Sequence, residues 1–322
     1  MKVSLILRRS ERRFFSIEKV FSVLQPYLGG TFISLPYRSS SVLNRLRNIF
    51  FLLNFKKQII HISGHDHYLL WYPFKNTILT IHDIEALRRK KGFKKWLFKK
   101  LWFDIPIKNA KMVTTISEFT KKELMTLNAY KTPIYVVPNP LTIELNYEPK
   151  VEWSDTLKIL HIGTKRNKNL TRTIGAIKGL DCELTIIGQL DEEQKRCLVE
   201  SGIQYRNRFE LSDQEVIEEY HKCELLCFIS TYEGFGLPIV EAQALGRVVL
   251  TSNLASMPEV AGSGAYFVNP FQLDEIRNAI LELKSNQELR KSLLGKGIAN
   301  VKRFKAERVA QLYQQLYDKV DQ

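Results

Sequence analysis

Cysteine is scarce in this chain and forms no pattern. Cys182, Cys197, Cys223 and Cys227 contain no Cys-x2-Cys pair and have no His pair beside them. That spacing excludes the common zinc sites, and four unpatterned cysteines in a chain of 322 residues point to buried free thiols rather than a disulfide frame. Long apolar runs are missing as well. The run 3–7 is broken by Arg8 and Arg9, too short for the apolar region of a signal peptide, and no later stretch approaches the roughly 18 apolar residues that cross a bilayer. The expectation is a cytoplasmic protein. Internal repeats and low-complexity segments are absent, so the chain is neither fibrous nor disordered.

What is present is apolar content, 44% of the residues, enough for two ordinary cores. Two domains of roughly 150 residues each are expected. Short strand-like runs at 2–7, 31–35, 59–62, 77–81, 113–116 and 134–137 alternate with helical or loop segments, and the alternation restarts at 157–162, 184–187, 203–209, 225–229 and 248–252. This is the pattern of an α/β chain with parallel sheets. Pro138-Asn139-Pro140 and the aperiodic residues up to Trp153 mark a linker, which gives a first domain over 1–150, a second over 151–304 and a terminal helix over 305–322. Charge is divided unevenly between the halves. Residues 1–150 hold 26 Lys and Arg against 10 Asp and Glu, a balance of +16, whereas the remainder holds 22 against 24, a balance of −2. One domain is therefore suited to an anionic surface, nucleic acid or an acidic membrane leaflet. A nucleic-acid role accounts for the charge alone, and no recognition module accompanies it.

The stretch on which the rest converges is 231–245, TYEGFGLPIVEAQAL. A Gly-rich turn follows an apolar run, and Pro238 opens a helix. The first N–H groups of that helix, at Phe235, Gly236 and Leu237, together with the helix dipole, suit a phosphate, and Gly234 and Gly236 let the backbone approach it. Glu233 and Glu241 repel phosphate and instead suit hydroxyl groups. A bare pair of glutamates eight apart carries no information, but the full string EGFGLPIVEA does. It resembles the donor-site signature of the retaining glycosyltransferases of family 4. The resemblance implies a GT-B fold: two Rossmann-like doubly wound domains facing across a cleft, with the C-terminal helix crossing back to the first. It also implies a donor that is a UDP- or GDP-sugar, no metal or other cofactor, and the acceptor hydroxyl attacking on the face that the leaving group vacates.

Other segments extend the resemblance over most of residues 77–322. The loop Gly163-Thr164-Lys165-Arg166-Asn167-Lys168-Asn169 matches the family's diphosphate-holding Lys-Asn at Lys168 and Asn169, with Arg166 nearby. Thr164 departs from the family, which usually has Arg there. The string ILTIHDIEALR is similar to the family's strand-then-His-Asp segment and makes His82 the candidate for touching the transferred sugar or its phosphate. Glu233, Lys168 and His82 are thus the implied catalytic residues. In many relatives the first strand-to-helix loop is glycine-rich; here it is arginine-rich. Arg12 and Arg13 could bind a phosphate on the acceptor or simply be solvated. His65 and His67 belong to a polar loop on the acceptor side, an assignment preferred over a His65-Asp66-His67 metal chelate; His61 suits a core.

Residues 87–104, LRRKKGFKKWLFKKLWFD, have the composition of an interfacial helix. Phe93, Trp96, Leu97 and Leu101 form a stripe that Phe98 and Trp102 widen, and Lys94, Lys95, Lys99 and Lys100 surround it. Either the stripe docks on an anionic membrane, or it is buried against the first sheet as a wall of the domain. The expected activity is sugar transfer to a glycan or lipid-linked acceptor in bacterial surface polysaccharide assembly, by a peripheral protein at the inner face of the cytoplasmic membrane. A GT-B epimerase or phosphorylase is the alternative.

Overall fold

The computed structural model describes residues 2–9, 16–144 and 146–321. Arg12 and Arg13 lie outside the described residues. The chain forms two compact units, Met1–Thr142 with Phe304–Gln322, and Ile143–Arg303.

The first unit is built on six strands: β1 (Val3–Leu7), β2 (Thr31–Ser34), β3 (Ile59–Ile62), β4 (Thr77–Ile81), β5 (Met112–Thr115) and β6 (Ile134–Val136). They run in the order β2-β1-β3-β4-β5-β6, every pair parallel. Helices cover both faces, so the central strands are apolar on both sides, with Leu5, Ile6, Ile60, Ile62, Leu79, Ile81 and Val113 all buried. Strand order reverses between β1 and β3. The helices Ser16–Leu28 and Ala306–Asp321 pack together in this unit; the Tyr27 hydroxyl donates to Glu307 at 2.9 Å and Phe21 meets Tyr313 at 5.9 Å. His61 is a core residue between them, with Nδ1 2.8 Å from the Tyr317 hydroxyl and Nε2 2.7 Å from Thr80 Oγ1.

The second unit has β7 (Leu157–Ile162), β8 (Cys182–Ile187), β9 (Gln204–Arg208), β10 (Leu225–Phe228), β11 (Val248–Ser252) and β12 (Tyr266–Val268). Their order, β12-β11-β10-β7-β8-β9, is again all parallel. Numbered from its own first strand this is the 3-2-1-4-5-6 arrangement of Rossmann domains, whose ligand crevice opens beyond the carboxyl ends of the two strands where the order reverses, here β7 and β10. All four cysteines are free thiols.

Two segments differ from the sequence reading. Residues 42–52, to which the pattern assigns no element, form the helix Val42–Leu52, capped by Ser41, whose Oγ accepts from the Asn44 amide at 3.2 Å. Only Asn48, Ile49 and Leu52 are buried in it, so its outer face carries apolar residues and its inner face an asparagine. Residues 92–109 form one helical run interrupted by a π turn: Gly92–Lys99, then Lys100–Asp104, then Ile105–Asn109. No residue of Gly92–Lys99 is buried. Phe98 and Trp102 do not widen the outward stripe. At 100° per residue they lie about 140° and 180° from Phe93, and on that inward side they stack on each other at 5.1 Å and pack against the core around Phe103. Lys99 is paired with Asp104 at 2.9 Å.

Candidate functional site

The loops after β7 and β10 meet at the order reversal of the second sheet. After β7 the chain turns at Gly163, at φ 92°, and passes through a short 3-10 turn, Arg166–Lys168, to Asn169 at φ 65°. A Cβ at Gly163 would lie 2.8 Å from Lys168 Cγ, so glycine there lets the lysine stem fold across the loop. Lys168 Nζ donates to Glu233 Oε1 at 2.7 Å and sits 4.8 Å from the centre of the Phe228 ring. Asn167 completes the junction: its Nδ2 donates to the Tyr232 carbonyl at 2.9 Å and to Glu233 Oε1 at 3.2 Å, and its carbonyl accepts from the Thr231 amide at 2.8 Å. The buried Asn167 Oδ1 and Ser230 Oγ have no partner among the described residues, a concentration of polar demand that folding alone does not satisfy.

The Gly-rich turn is fixed from outside. Ser256 Oγ lies 2.9 Å from the Glu233 carbonyl and 2.7 Å from the Phe235 carbonyl. Gly236, at φ 104°, is the N-cap of the helix Leu237–Ala244, with Pro238 in its first turn. Glu241, one turn on, accepts from the Tyr220 hydroxyl at 2.9 Å. Tyr220 is fully buried, and burial followed by the Glu241 carboxylate holds its hydroxyl protonated, well above the usual tyrosine range. The site therefore pairs a cation with a carboxylate at the mouth of a helix N-terminus, with a second carboxylate a turn inside. Such an arrangement can hold an anion and hydroxyl groups side by side.

The other residues named from the sequence fall in several places. Thr164 donates its hydroxyl to the Gln189 carbonyl at 2.6 Å, beside Gly188, and Arg166 is exposed on the rim. Asn169 lies beneath the loop: its Nδ2 donates to the Ile229 and Pro270 carbonyls at 3.2 and 2.8 Å, and Arg172 donates to its Oδ1 at 2.9 Å. Gly234 is half-buried, Phe235 buried, and Leu237 half-buried in the turn. In the first unit, His82 at the end of β4 is buried with Nε2 donating to the Ser63 carbonyl at 2.7 Å, and His65 is exposed with its ring 6.0 Å from that of His82. His67 turns into the core, where Nδ1 donates to the Trp102 carbonyl at 2.7 Å. Burial, and then the charge of His65, hold His67 and His82 down to about 3, so both are neutral at physiological pH. Among the described residues no three His, Cys, Asp or Glu side chains converge to hold a metal. Asn167, Ser256 and Tyr220 escape the sequence reading, because the last two act from 23 and 21 residues away on groups they meet only in the fold.

Two family models together account for nearly the whole chain: Glycosyltransferase Family 4 over residues 2–145, and Glycosyl transferases group 1 over residues 146–298. The chain is a group 1 glycosyltransferase of GT-B fold. This glycosyltransferase is 27% identical over 298 residues to the O-antigen chain mannosyltransferase B of Escherichia coli, a match spanning 83% of the chain and 75% of the relative. Its fold matches that of a glycosyltransferase from Rickettsia africae with a TM-score of 0.78 at 17% identity, covering 99% of this chain and 98% of that one. It likewise matches an Anabaena protein, HepE, solved in complex with UDP and glucose, with a TM-score of 0.78 at 12% identity, over 99% of this chain and 100% of the other.

Proposed function

We propose that this glycosyltransferase moves a mannosyl residue from a UDP- or GDP-linked donor to a hydroxyl of a lipid-linked glycan in surface polysaccharide assembly, with retention at the anomeric carbon. The observation that carries the donor assignment is the Lys168–Glu233 pair at the mouth of the helix Leu237–Ala244, at the order reversal of the second sheet. In this reading the diphosphate lies at the helix N-terminus, Lys168 releases Glu233 to neutralise the leaving nucleoside diphosphate, and Glu233 accepts from sugar hydroxyls. Asn167 Oδ1 and Ser230 Oγ are buried acceptors and donors for the same hydroxyls. Glu241, held by Tyr220, takes the ribose. The mannosyl assignment rests on the E. coli relative, and retention on the family signature.

His82, neutral and buried, would contribute as a hydrogen-bonding group to the sugar rather than as a cation. His65 belongs to the acceptor side, with Arg12 and Arg13. No metal is required, because Lys168 and the helix N-terminus supply the positive charge. In this reading residues 87–104 meet an anionic membrane, with the enzyme peripheral at the inner face of the cytoplasmic membrane. A panel of UDP- and GDP-sugars, read by thermal shift and then by NMR of the product anomer, tests the proposal. Stabilisation by a GDP- or UDP-mannose and an α-linked product support it; no stabilisation by any sugar nucleotide, or an epimerised donor with no transfer, overturns it.

A further inference from the structure

The helix Val42–Leu52 carries an outward apolar stripe that nothing in its unit covers. Val42, Leu43, Leu46 and Phe50 are 60%, 58%, 42% and 67% exposed. At 100° per residue these four fall within a sector of about 100°. Isolated exposed apolar residues are ordinary, but four on one stripe of one short helix mark an interaction surface. Arg47 flanks the stripe, exposed, and Lys56 and Lys57 follow the helix, also exposed. Between Glu18 and Asp66 the chain has no acidic residue.

This helix is tied to the basic helical run at 92–109. The Arg45 guanidinium lies 4.9 Å from the centre of the Trp102 ring and 5.8 Å from that of Tyr68, and Arg45 Nε donates to the Ser39 carbonyl at 2.9 Å. The run itself presents Phe93, Trp96 and Leu97, 72%, 53% and 39% exposed, with Phe93 stacked on Trp96 at 5.4 Å and Lys100 folded over Trp96 at 5.1 Å. Between Glu85 and Asp104 no acidic residue occurs there either. Two neighbouring segments of the same unit thus combine exposed large apolar side chains with uniformly positive charge.

We infer that the helix Val42–Leu52 is a second membrane-inserting element, which places its Leu43–Leu46–Phe50 stripe among the acyl chains of an anionic bilayer beside the basic helix Gly92–Lys99. The inference rests on the membrane reading above and adds a distinct element to it. An acidic protein partner would satisfy the cations but leave the apolar stripe to find its own match. An anionic bilayer meets both, with phosphates at the depth of the lysines and arginines and hydrocarbon below. The two elements divide the work. Gly92–Lys99, with its lysines, draws the protein to the surface in a salt-sensitive way, whereas the stripe on Val42–Leu52 supplies attachment that salt does not remove.

Co-sedimentation of the purified chain with phosphatidylglycerol-containing vesicles, against pure phosphatidylcholine vesicles, tests this at low and high salt. Wild type pellets with the acidic vesicles at low salt and keeps a fraction bound at high salt. The double variant Leu43→Ser, Phe50→Ser unfolds at the wild-type temperature, since both side chains are exposed. Its partition into acidic vesicles falls by about tenfold or more, with the salt-resistant fraction lost. The variant Lys94→Glu, Lys95→Glu, Lys100→Glu loses the salt-sensitive part. If wild type ignores acidic vesicles, the membrane reading itself fails. If wild type binds, the lysine variant releases and the Leu43→Ser, Phe50→Ser protein binds as wild type does, only the role of Val42–Leu52 is overturned. A wild-type dimer in sedimentation velocity that the same double variant converts to monomer, with vesicle binding unchanged, assigns the stripe to a second copy and also overturns it.

Discussion

Replacing Lys168 by Met separates a structural ion pair from a leaving-group clamp. The pair is 2.7 Å long, with the two side chains 18% and 14% exposed. Deleting one partner of a fully buried pair costs about 3–5 kcal/mol, and deleting one from an exposed pair costs less than about 1 kcal/mol. Lys168 lies between these limits, and Asn167 still donates to Glu233 after the change. A loss of about 2 kcal/mol is expected, which for a unit of this size lowers the unfolding temperature by about 4–8 °C. The protein stays folded at 25 °C. If Lys168 neutralises the departing diphosphate, kcat/KM falls by about 100- to 1000-fold, the cost of removing one preorganised donor from a developing anion. The double variant Lys168→Met, Glu233→Gln isolates the cost of the unpaired carboxylate. It restores stability, because no unpaired carboxylate remains, but it does not restore activity. A donor-turnover assay that finds Lys168→Met within a few-fold of wild type, or the double variant recovering it, refutes the clamp and leaves the pair a structural one.

Three further outcomes follow from the geometry. Tyr220→Phe removes the hydrogen bond that orients Glu241; donor KM rises by about tenfold with kcat nearly unchanged, as loss of a contact held equally in ground and transition states requires, and a variant with wild-type KM shows that Tyr220 does not position Glu241. Gly264→Ala drives a Cβ to 2.5 Å from Gly297 Cα, backbone against backbone, and costs several kcal/mol, whereas Gly295→Ala, with nothing within 4 Å in the same helix Gln287–Val301, is neutral or stabilises by up to about 1 kcal/mol; calorimetry showing equal unfolding temperatures for the two contradicts this packing. His61, His67 and His82 are each held down to about 3, chiefly by burial, so below the ordinary value of 6.5 the unfolded chain takes up protons that the folded chain does not. Stability is flat above pH 6.5 and falls on acidification toward 3, by up to about 1.4 kcal/mol per pH unit for each histidine; urea midpoints that are unchanged from pH 7.5 to 5.5 refute the buried neutral state.

How much was legible in the sequence depended on whether the information was local. Strand β7 at 157–162 and β11 at 248–252 were read to the residue, because a mostly buried parallel strand is a short, predominantly apolar run bounded by turn residues. The Ser212 and Glu215 capping box of the helix Asp213–Lys222 is local in the same sense, since both partners lie within four residues. The string EGFGLPIVEA pointed to a glycosyltransferase through its resemblance to a family signature, which is legible because the string is contiguous. Lys168 and Glu233 could be named one by one but not joined, because the hydrogen bond spans 65 residues and exists only where β7 and β10 lie side by side. Asn167, Ser256 and Tyr220 left no trace, since each acts through ordinary contacts on a distant loop. The helix Val42–Leu52 was lost for the opposite reason. Its apolar stripe, Val42, Leu43, Leu46 and Phe50, faces outward, while the side that packs inward includes Asn48 beside Ile49 and Leu52, so the stripe does not mark the buried face. In 92–104 the outward Phe93, Trp96 and Leu97 were legible as a stripe, whereas Phe98 and Trp102, about 140° and 180° from Phe93, belong to the side that packs on the core. In both segments the legible apolar stripe is the exposed one, and it is surface that this protein carries beyond the needs of its own core.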